Sequence, residues 1–356
     1  MPTLSGWRAE ALNSFQREVA EAVKNLKKYV DSGAPAPEPP PEGEPSFEEV
    51  RREKFLPVEA SKPEGRMLSV DASSYTLLSG NYWRVSVSRC AYVVVEVQGE
   101  KPVVVGEGCE DHIFGVVCHP SRRLYEVWSK LRRFESELAL RIVKSAELGE
   151  EDFCLLDGAA YFGGAKNFLL ELYEEARRRK IKMVSIPKRS LRLMDSQGRD
   201  LLASLSVTGD RLHQEGSLPK TWIYHSIKVG EVRGLRLYAE VSAVKLSPSS
   251  RRVFRCDLVD YLVERSRESA VQVASELAYL ARDARCDGYP APLYLAHRWT
   301  SIPESKLLEY EEEVYRGLEE AGLLDELLRE AEAASFRKVL LGLTHDYELR
   351  EEIVDF

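Results

Sequence analysis

Two aspartates, each at the end of an apolar run, are the residues of this chain best suited to chemistry. Arg66-Met-Leu-Ser-Val-Asp71-Ala-Ser-Ser74 and Phe153-Cys-Leu-Leu-Asp157-Gly-Ala-Ala-Tyr161 both run apolar into one acid that small residues follow. An apolar run of this length reads as a buried strand, so each acid stands where a strand reaches the mouth of a sheet. Hard oxygen ligands gathered at such a mouth can hold divalent cations, and two cations about 3.5 to 4 Å apart can activate water against a phosphodiester. Either aspartate alone would more simply cap a turn; the pair carries the reading. A third segment, Cys286-Asp287-Gly288-Tyr289-Pro290-Ala-Pro-Leu-Tyr-Leu-Ala-His297, combines turn residues with a short strand or helix start bearing a histidine, a residue able to ligate metal or move protons. In isolation, such a histidine is more often a hydrogen-bonded core residue.

Positioning these groups requires a sheet. Met67–Asp71, Arg84–Val97 and Lys101–Gly106 read as strands, separated by Gly80-Asn81 and Gln98-Gly99-Glu100, and such short connections make an antiparallel meander. A helix over Arg122–Ser145, a strand over Phe153–Leu156, a helix over Lys166–Lys180 and a strand over Ile181–Ile186 follow. The resulting β-β-β-α-β-α-β order is that of an α/β, ribonuclease H-like mixed sheet, in which strand-borne carboxylates bind metal. At about 100° per residue, Leu124, Val127, Trp128, Leu131, Leu138 and Ile142 share one face of the first helix. Glu135 falls inside that stripe and Glu137 points away. A carboxylate on an apolar face needs a partner or a metal to offset its desolvation; Glu135 is therefore the candidate third acid and Glu137 the fallback.

The 356 residues are 44% apolar and 30% charged, with a net charge of −8. That composition is ordinary for a soluble globular protein, and the charge argues against coating nucleic acid by bulk electrostatics. No signal-peptide layout and no membrane-spanning run is present, so a cytoplasmic location without membrane contact is expected. The six scattered cysteines read as reduced thiols. Residues 1–31 are expected to form a helical arm of the kind that often packs on a second subunit, 32–46 a Pro-rich linker, 47–302 the main domain and 303–356 an acidic helical extension. That extension would usually just cover a core, although its acidic face could also dock a partner.

The segments around Asp71, Asp157 and Tyr289–His297, in this order and spacing, resemble those of the NurA nucleases over roughly residues 66 to 302. The resemblance implies a ribonuclease H-like dimer that requires manganese (or magnesium), with two ions per site. It also implies degradation of single- and double-stranded DNA, with 5′ to 3′ exonuclease and single-strand endonuclease activity. The implied partner is a HerA-like hexameric ATPase, and the implied setting is DNA end resection in recombinational repair. By motif, Asp71 and Asp157 correspond to metal-binding aspartates, and Tyr289 and His297 to the tyrosine and histidine of the C-terminal motif. Glu135 is assigned to the helix glutamate without a local motif to fix it. Asp71 is then the candidate bridge between ions, with Asp157 and Glu135 on one ion each, His297 an added ligand or proton carrier, and Tyr289 positioning the phosphate. Two departures, Ala72 for the family's glycine and Ala159 for its serine, remove no carboxylate. A non-catalytic, DNA-binding adaptor or regulator of a translocase is the alternative from another class.

Cations near the cleft should contact phosphates. Lys188 and Arg189, past the last core strand, are the favoured positions. Arg177–Lys180 ends a helix and reads as structural, and Arg251–Arg255 as a solvated face or a channel lining. Cys109, His112, Cys118 and His119 are zinc-type residues at a spacing that matches no standard site. Gly158–Lys166 evokes a phosphate loop but lacks its Ser/Thr and displaces its lysine.

Overall fold

The segments that read as strands and helices fold as such, and the differences lie in how far they run and what they touch. The computed structural model describes residues 4–33, 46–162, 167–187, 193–232, 235–263 and 267–340. Helix α1 (Leu4–Ser32) and the short strands β1 (Ser46–Glu48) and β2 (Phe55–Pro57) precede the expected meander of β3 (Met67–Ser79), β4 (Trp83–Gln98) and β5 (Lys101–Val117). Then come α2 (Arg123–Ser145), β6 (Phe153–Leu156), the two-residue β7 (Tyr161–Phe162), α3 (Phe168–Arg179) and β8 (Lys182–Ser185). Beyond them lie β9 (Leu193–Asp195), α4 (Leu201–Gln214), β10 (Trp222–Ile227), β11 (Arg236–Leu237), β12 (Ala239–Lys245) and β13 (Phe254–Val259). Helices α5 (Asp260–Val263), α6 (Arg267–Leu280), α7 (Ala291–Trp299), α8 (Glu304–Glu320) and α9 (Leu324–Leu340) follow.

Among the described residues, nine strands form one mixed sheet in the order β2-β10-β12-β13-β8-β6-β3-β4-β5. The central β3, β6 and β8 are parallel. Leu68, Val70, Cys154 and Leu156 pack under α2 and α3, while Met67, Phe153, Leu155 and Val184 pack under α6 and α7. Cover on both faces is why β6 is a continuous apolar run and not an alternating one. The antiparallel half formed by β13, β12, β10 and β2 has no counterpart in the strands read from sequence. His297 rides on a helix, α7, so of the two options for its segment the helix holds.

The N-terminal helix corrects the arm expectation. Val19, Ala22 and Leu26 of α1 are buried with Trp83, Val85, Val87 and Ile113 of the meander and with Tyr310, Val314 and Leu318 of α8. Its apolar stripe is thus consumed within its own chain. Glu330 of α9 fastens the same cluster by accepting from the Trp83 indole at 2.7 Å and the Tyr29 hydroxyl at 3.0 Å. The acidic extension thereby covers core as far as the described residues reach; residues 34–45 of the linker and 341–356 lie outside them. No described helix is long and apolar enough to cross a membrane.

Charge also holds α1. His112 of β5, one of the zinc-type residues, lies between Glu18 of α1 at 2.9 Å and Glu110 at 3.0 Å and stacks on Phe134. All six cysteines are unpaired. Burial opposes a charged His112, but the hydrogen bonds to Glu110 and Glu18 outweigh it and raise its pKa to about 9. A pKa raised on folding stabilises the native state fully below the unfolded value of about 6.5, and that contribution is lost as pH rises through the folded value. The attachment of α1 is therefore expected to weaken by ~3 kcal/mol between about pH 6.5 and pH 9.5. Amide exchange in α1, corrected for intrinsic rate, should accelerate over that range, and more weakly in His112→Gln; flat protection would contradict the mechanism.

Candidate active site

The sheet's own register brings the two aspartates together. β3 and β6 pair in parallel from Met67↔Phe153 to Val70↔Leu156, so Asp71 and Asp157 are each the next residue on neighbouring strands. β6 ends there, whereas β3 runs on to Ser79, paired with β4 alone. Asp71 thus lies inside a strand and not at its end, and the acids occupy the point where the sheet splits, the usual ligand position outside the carboxyl ends of parallel strands. Gly158 turns the chain away after Asp157 with φ of 110°, and a Cβ there would come within 3.0 Å of the Arg132 guanidinium. Both the backbone angle and the space demand glycine.

Helix α2 supplies the third acid. Glu135 is buried, its Oε1 accepting from the Ala72 amide at 3.0 Å, and the same amide donates to Asp71 Oδ1 at 3.0 Å. One donor shared by two carboxylates places them side by side. Arg132, one turn earlier and equally buried, donates from Nη1 to Glu135 Oε2 at 2.8 Å and to the Asp157 carbonyl. Glu137 is half exposed and accepts from Arg133 at 2.8 Å. The structure therefore brings Glu135 and not Glu137 to the aspartates, because two residues of helix turn them onto opposite sides. Burial, opposed by Arg132 and reinforced by the Asp71 and Asp157 carboxylates, raises the pKa of Glu135 well above the ordinary carboxylate range.

His297 of α7 completes the group, with Nδ1 2.6 Å from Asp71 Oδ2. A carboxylate only accepts, so Nδ1 carries the proton and, in the neutral ring, the lone pair is on Nε2. Tyr289 has a different place from the expected one. It is buried against Phe254 and donates its hydroxyl to the Ile186 carbonyl at 3.0 Å, which makes it a support of the β8 end and not a phosphate contact. Lys188 and Arg189, just past that end, lie outside the described residues, as do 163–166 of the loop resembling a phosphate site. Arg178 and Arg179 pair with Glu175, in keeping with a structural helix end. The segment Ser250–Arg255 is not a wholly solvated face: Arg251 and Arg252 are exposed, whereas Ser250, Phe254 and Arg255 are buried.

Two residues with roles here were missed in the sequence. Arg132 had a signal, its spacing of three from Glu135, the separation at which helix side chains meet. Asp257 had a weaker one, its period-two spacing from Arg255 within an apolar strand. Asp257 is 0% exposed; it receives Arg255 Nε at 2.6 Å on Oδ1 and both Arg255 Nη2 and the Ala160 amide at 2.9 Å on Oδ2. It thereby secures the turn that follows Asp157.

The residue types suit a hard divalent cation: Asp71 and Glu135 share the Ala72 amide, His297 meets Asp71, and the Asp71 and Asp157 charges help raise the Glu135 pKa, which positive charge would relieve. Among the described residues, no three His, Cys, Asp or Glu side chains already close to ligand spacing around one point, and Arg132 and the Ala72 amide engage the Glu135 oxygens.

The sequence matches no protein-family model and no curated protein. Solved structures show what kind of protein the fold defines, an α/β protein built on a ribonuclease H-like mixed sheet. More particularly, the fold is NurA-like: the crystal structure of the NurA nuclease from Sulfolobus solfataricus aligns with a TM-score of 0.51 at 12% identity, over 84% of this chain and 94% of that one. Lower scores relate the chain to a NurA crystal structure with manganese (TM-score 0.46, 9% identity, 84% and 97% covered). The catalytic domain of human Endonuclease V scores 0.41, at 16% identity with 82% and 94% covered. At these identities the likeness establishes the fold alone.

Proposed function

We propose that this chain is a metal-dependent nuclease of the NurA type that hydrolyses DNA phosphodiester bonds. The observation that carries the reading is the meeting of Asp71, Glu135, Asp157 and His297 where the parallel strands part. Asp71, Glu135 and Asp157 would hold Mn2+ or Mg2+, two ions per site. When bound, such ions supply Lewis acidity and a water activated near neutral pH. Donation from His297 Nδ1 fixes the orientation of the Asp71 carboxylate, and Nε2 faces the work of ligand or proton acceptor. Arg132 favours a charged Glu135 and holds the Asp157 carbonyl in place. Tyr289 steadies the strand end from which Lys188 and Arg189 would reach phosphates. On this reading the enzyme acts as a 5′ to 3′ exonuclease and single-strand endonuclease, as a homodimer with a HerA-like hexameric ATPase, in cytoplasmic DNA end resection.

End-labelled linear DNA tests it. With Mn2+, wild type is expected to degrade the duplex from 5′ ends and to stop in EDTA. Glu135→Gln should fall ~10²- to 10³-fold, the scale of losing several kcal/mol of charge stabilisation. Glu137→Gln should stay within about twofold, the effect usual for an exposed ion pair. Wild type inert with Mn2+ and an ATPase partner would point instead to a DNA-binding adaptor; equal loss in both variants would refute the assignment of Glu135.

A further inference from the structure

Helix α7 carries a second feature that the acid cluster does not use. Tyr294, Leu295, Arg298 and Trp299 of α7, with Arg285 from the turn before it, line an open cleft of about 440 Å3. At about 100° per residue these helix positions start beside His297, one turn back at Tyr294, and sweep round the flank away from it. Trp299 is 43% exposed, whereas Trp83, Trp128 and Trp222 are buried. Arg298 Nη1 is 3.5 Å from the Tyr294 hydroxyl, a weak contact that leaves the guanidinium at the surface. Arg285, 84% exposed at its side chain, holds Asp283 in a two-point fork, Nε to Oδ1 at 3.0 Å and Nη2 to Oδ2 at 2.6 Å, and a phosphate there would share the guanidinium's remaining donors. The lining therefore offers two guanidinium groups, that of Arg285 shared with Asp283, and two aromatic rings, on a chain whose net charge is −8.

We infer that this cleft is a subsite for single-stranded nucleic acid next to the candidate active site, an assignment that rests on the nuclease reading. One base stacks on Trp299, and the phosphates on either side pair with Arg298 and Arg285. Stacking on an indole accepts any base, and a guanidinium fork matches a phosphate. An acidic peptide would engage the arginines and leave the indole idle; a nucleic-acid strand uses both. The rigid helix joins the cleft to the chemistry, because His297, next to Arg298 in the chain, is 2.6 Å from Asp71.

Binding of fluorescein-labelled (dT)15 to the full chain in EDTA reads the cleft without cleavage. Trp299→Ala is expected to weaken binding about 10- to 100-fold, the range for one lost stacking platform. It should also remove most of the quenching of tryptophan emission by the oligonucleotide. Trp299→Phe should retain most of the affinity, which separates stacking from damage to the helix. Arg298→Gln should lower the slope of log affinity against log salt by about 0.7, one phosphate contact to a single strand. Affinities of Trp299→Ala and Arg298→Gln within twofold of wild type would overturn the assignment, as would tighter binding of a Glu-rich peptide than of (dT)15. Wild type that binds through Trp299 but does not cut would sink the nuclease reading and leave the cleft standing. Cutting and binding both unchanged in Trp299→Ala would do the reverse.

Discussion

Asp71→Asn is expected to abolish Mn2+-dependent degradation of linear DNA, by ~10³-fold or more, without unfolding the protein. Asparagine has nearly the volume of aspartate, and its oxygen can still accept from the Ala72 amide or the His297 ring. What it lacks is the charge. Without metal, Asp71 crowds the neighbouring Glu135 with a like charge, so neutralising it should leave the melting temperature in EDTA unchanged or slightly higher. With metal the sign reverses. A cation bound only by the native state stabilises it by about 2.7 kcal/mol at a hundred times its Kd, and Asp71→Asn should lose most of that Mn2+-induced rise. The thermal shift reads the ligand role apart from the chemistry. Undiminished cutting, or an intact Mn2+ shift, would refute Asp71 as the anchor.

Asp257→Ala should produce the largest loss of stability, ~3 to 5 kcal/mol by urea unfolding, the cost typical of removing one partner of a buried ion pair. Arg255 is 4% exposed and Asp257 fully buried, so the mutation removes the carboxylate that Arg255 Nε and Nη2 engage and strips the Ala160 amide of its acceptor. Replacing both partners by Met and Leu should recover most of the loss, because the desolvation of both charges then disappears. A loss below about 1 kcal/mol for Asp257→Ala would show that water reaches the pair. Since Ala160 is three residues from Asp157, the single variant should also lower cleavage at temperatures where it remains folded, and the double variant should not restore cleavage in step with stability.

Much of the site could be read locally. Phe153–Leu156 is a strand flanked by parallel neighbours and covered on both faces, and four consecutive apolar residues are the direct signature of that environment. Glu135 betrays itself because an α-helix has a fixed period, so one acid in an apolar stripe is visible without any knowledge of what the stripe faces. The chain by itself thus determined the β-β-β-α-β-α-β core, the two strand-borne aspartates and the choice of Glu135 over Glu137 as the inward acid. What it could not determine was everything that depends on which distant segment lies opposite. β3 continues past Asp71 because β4 goes on pairing with it; α1 is core because its stripe meets the meander and α8. The Tyr289 hydroxyl belongs to Ile186, and Asp257 to Arg255 and the Ala160 amide. Periodicity records which side of an element is apolar, but a partner across 97 or 103 residues is chosen by sheet order and register, and those exist only in the folded chain.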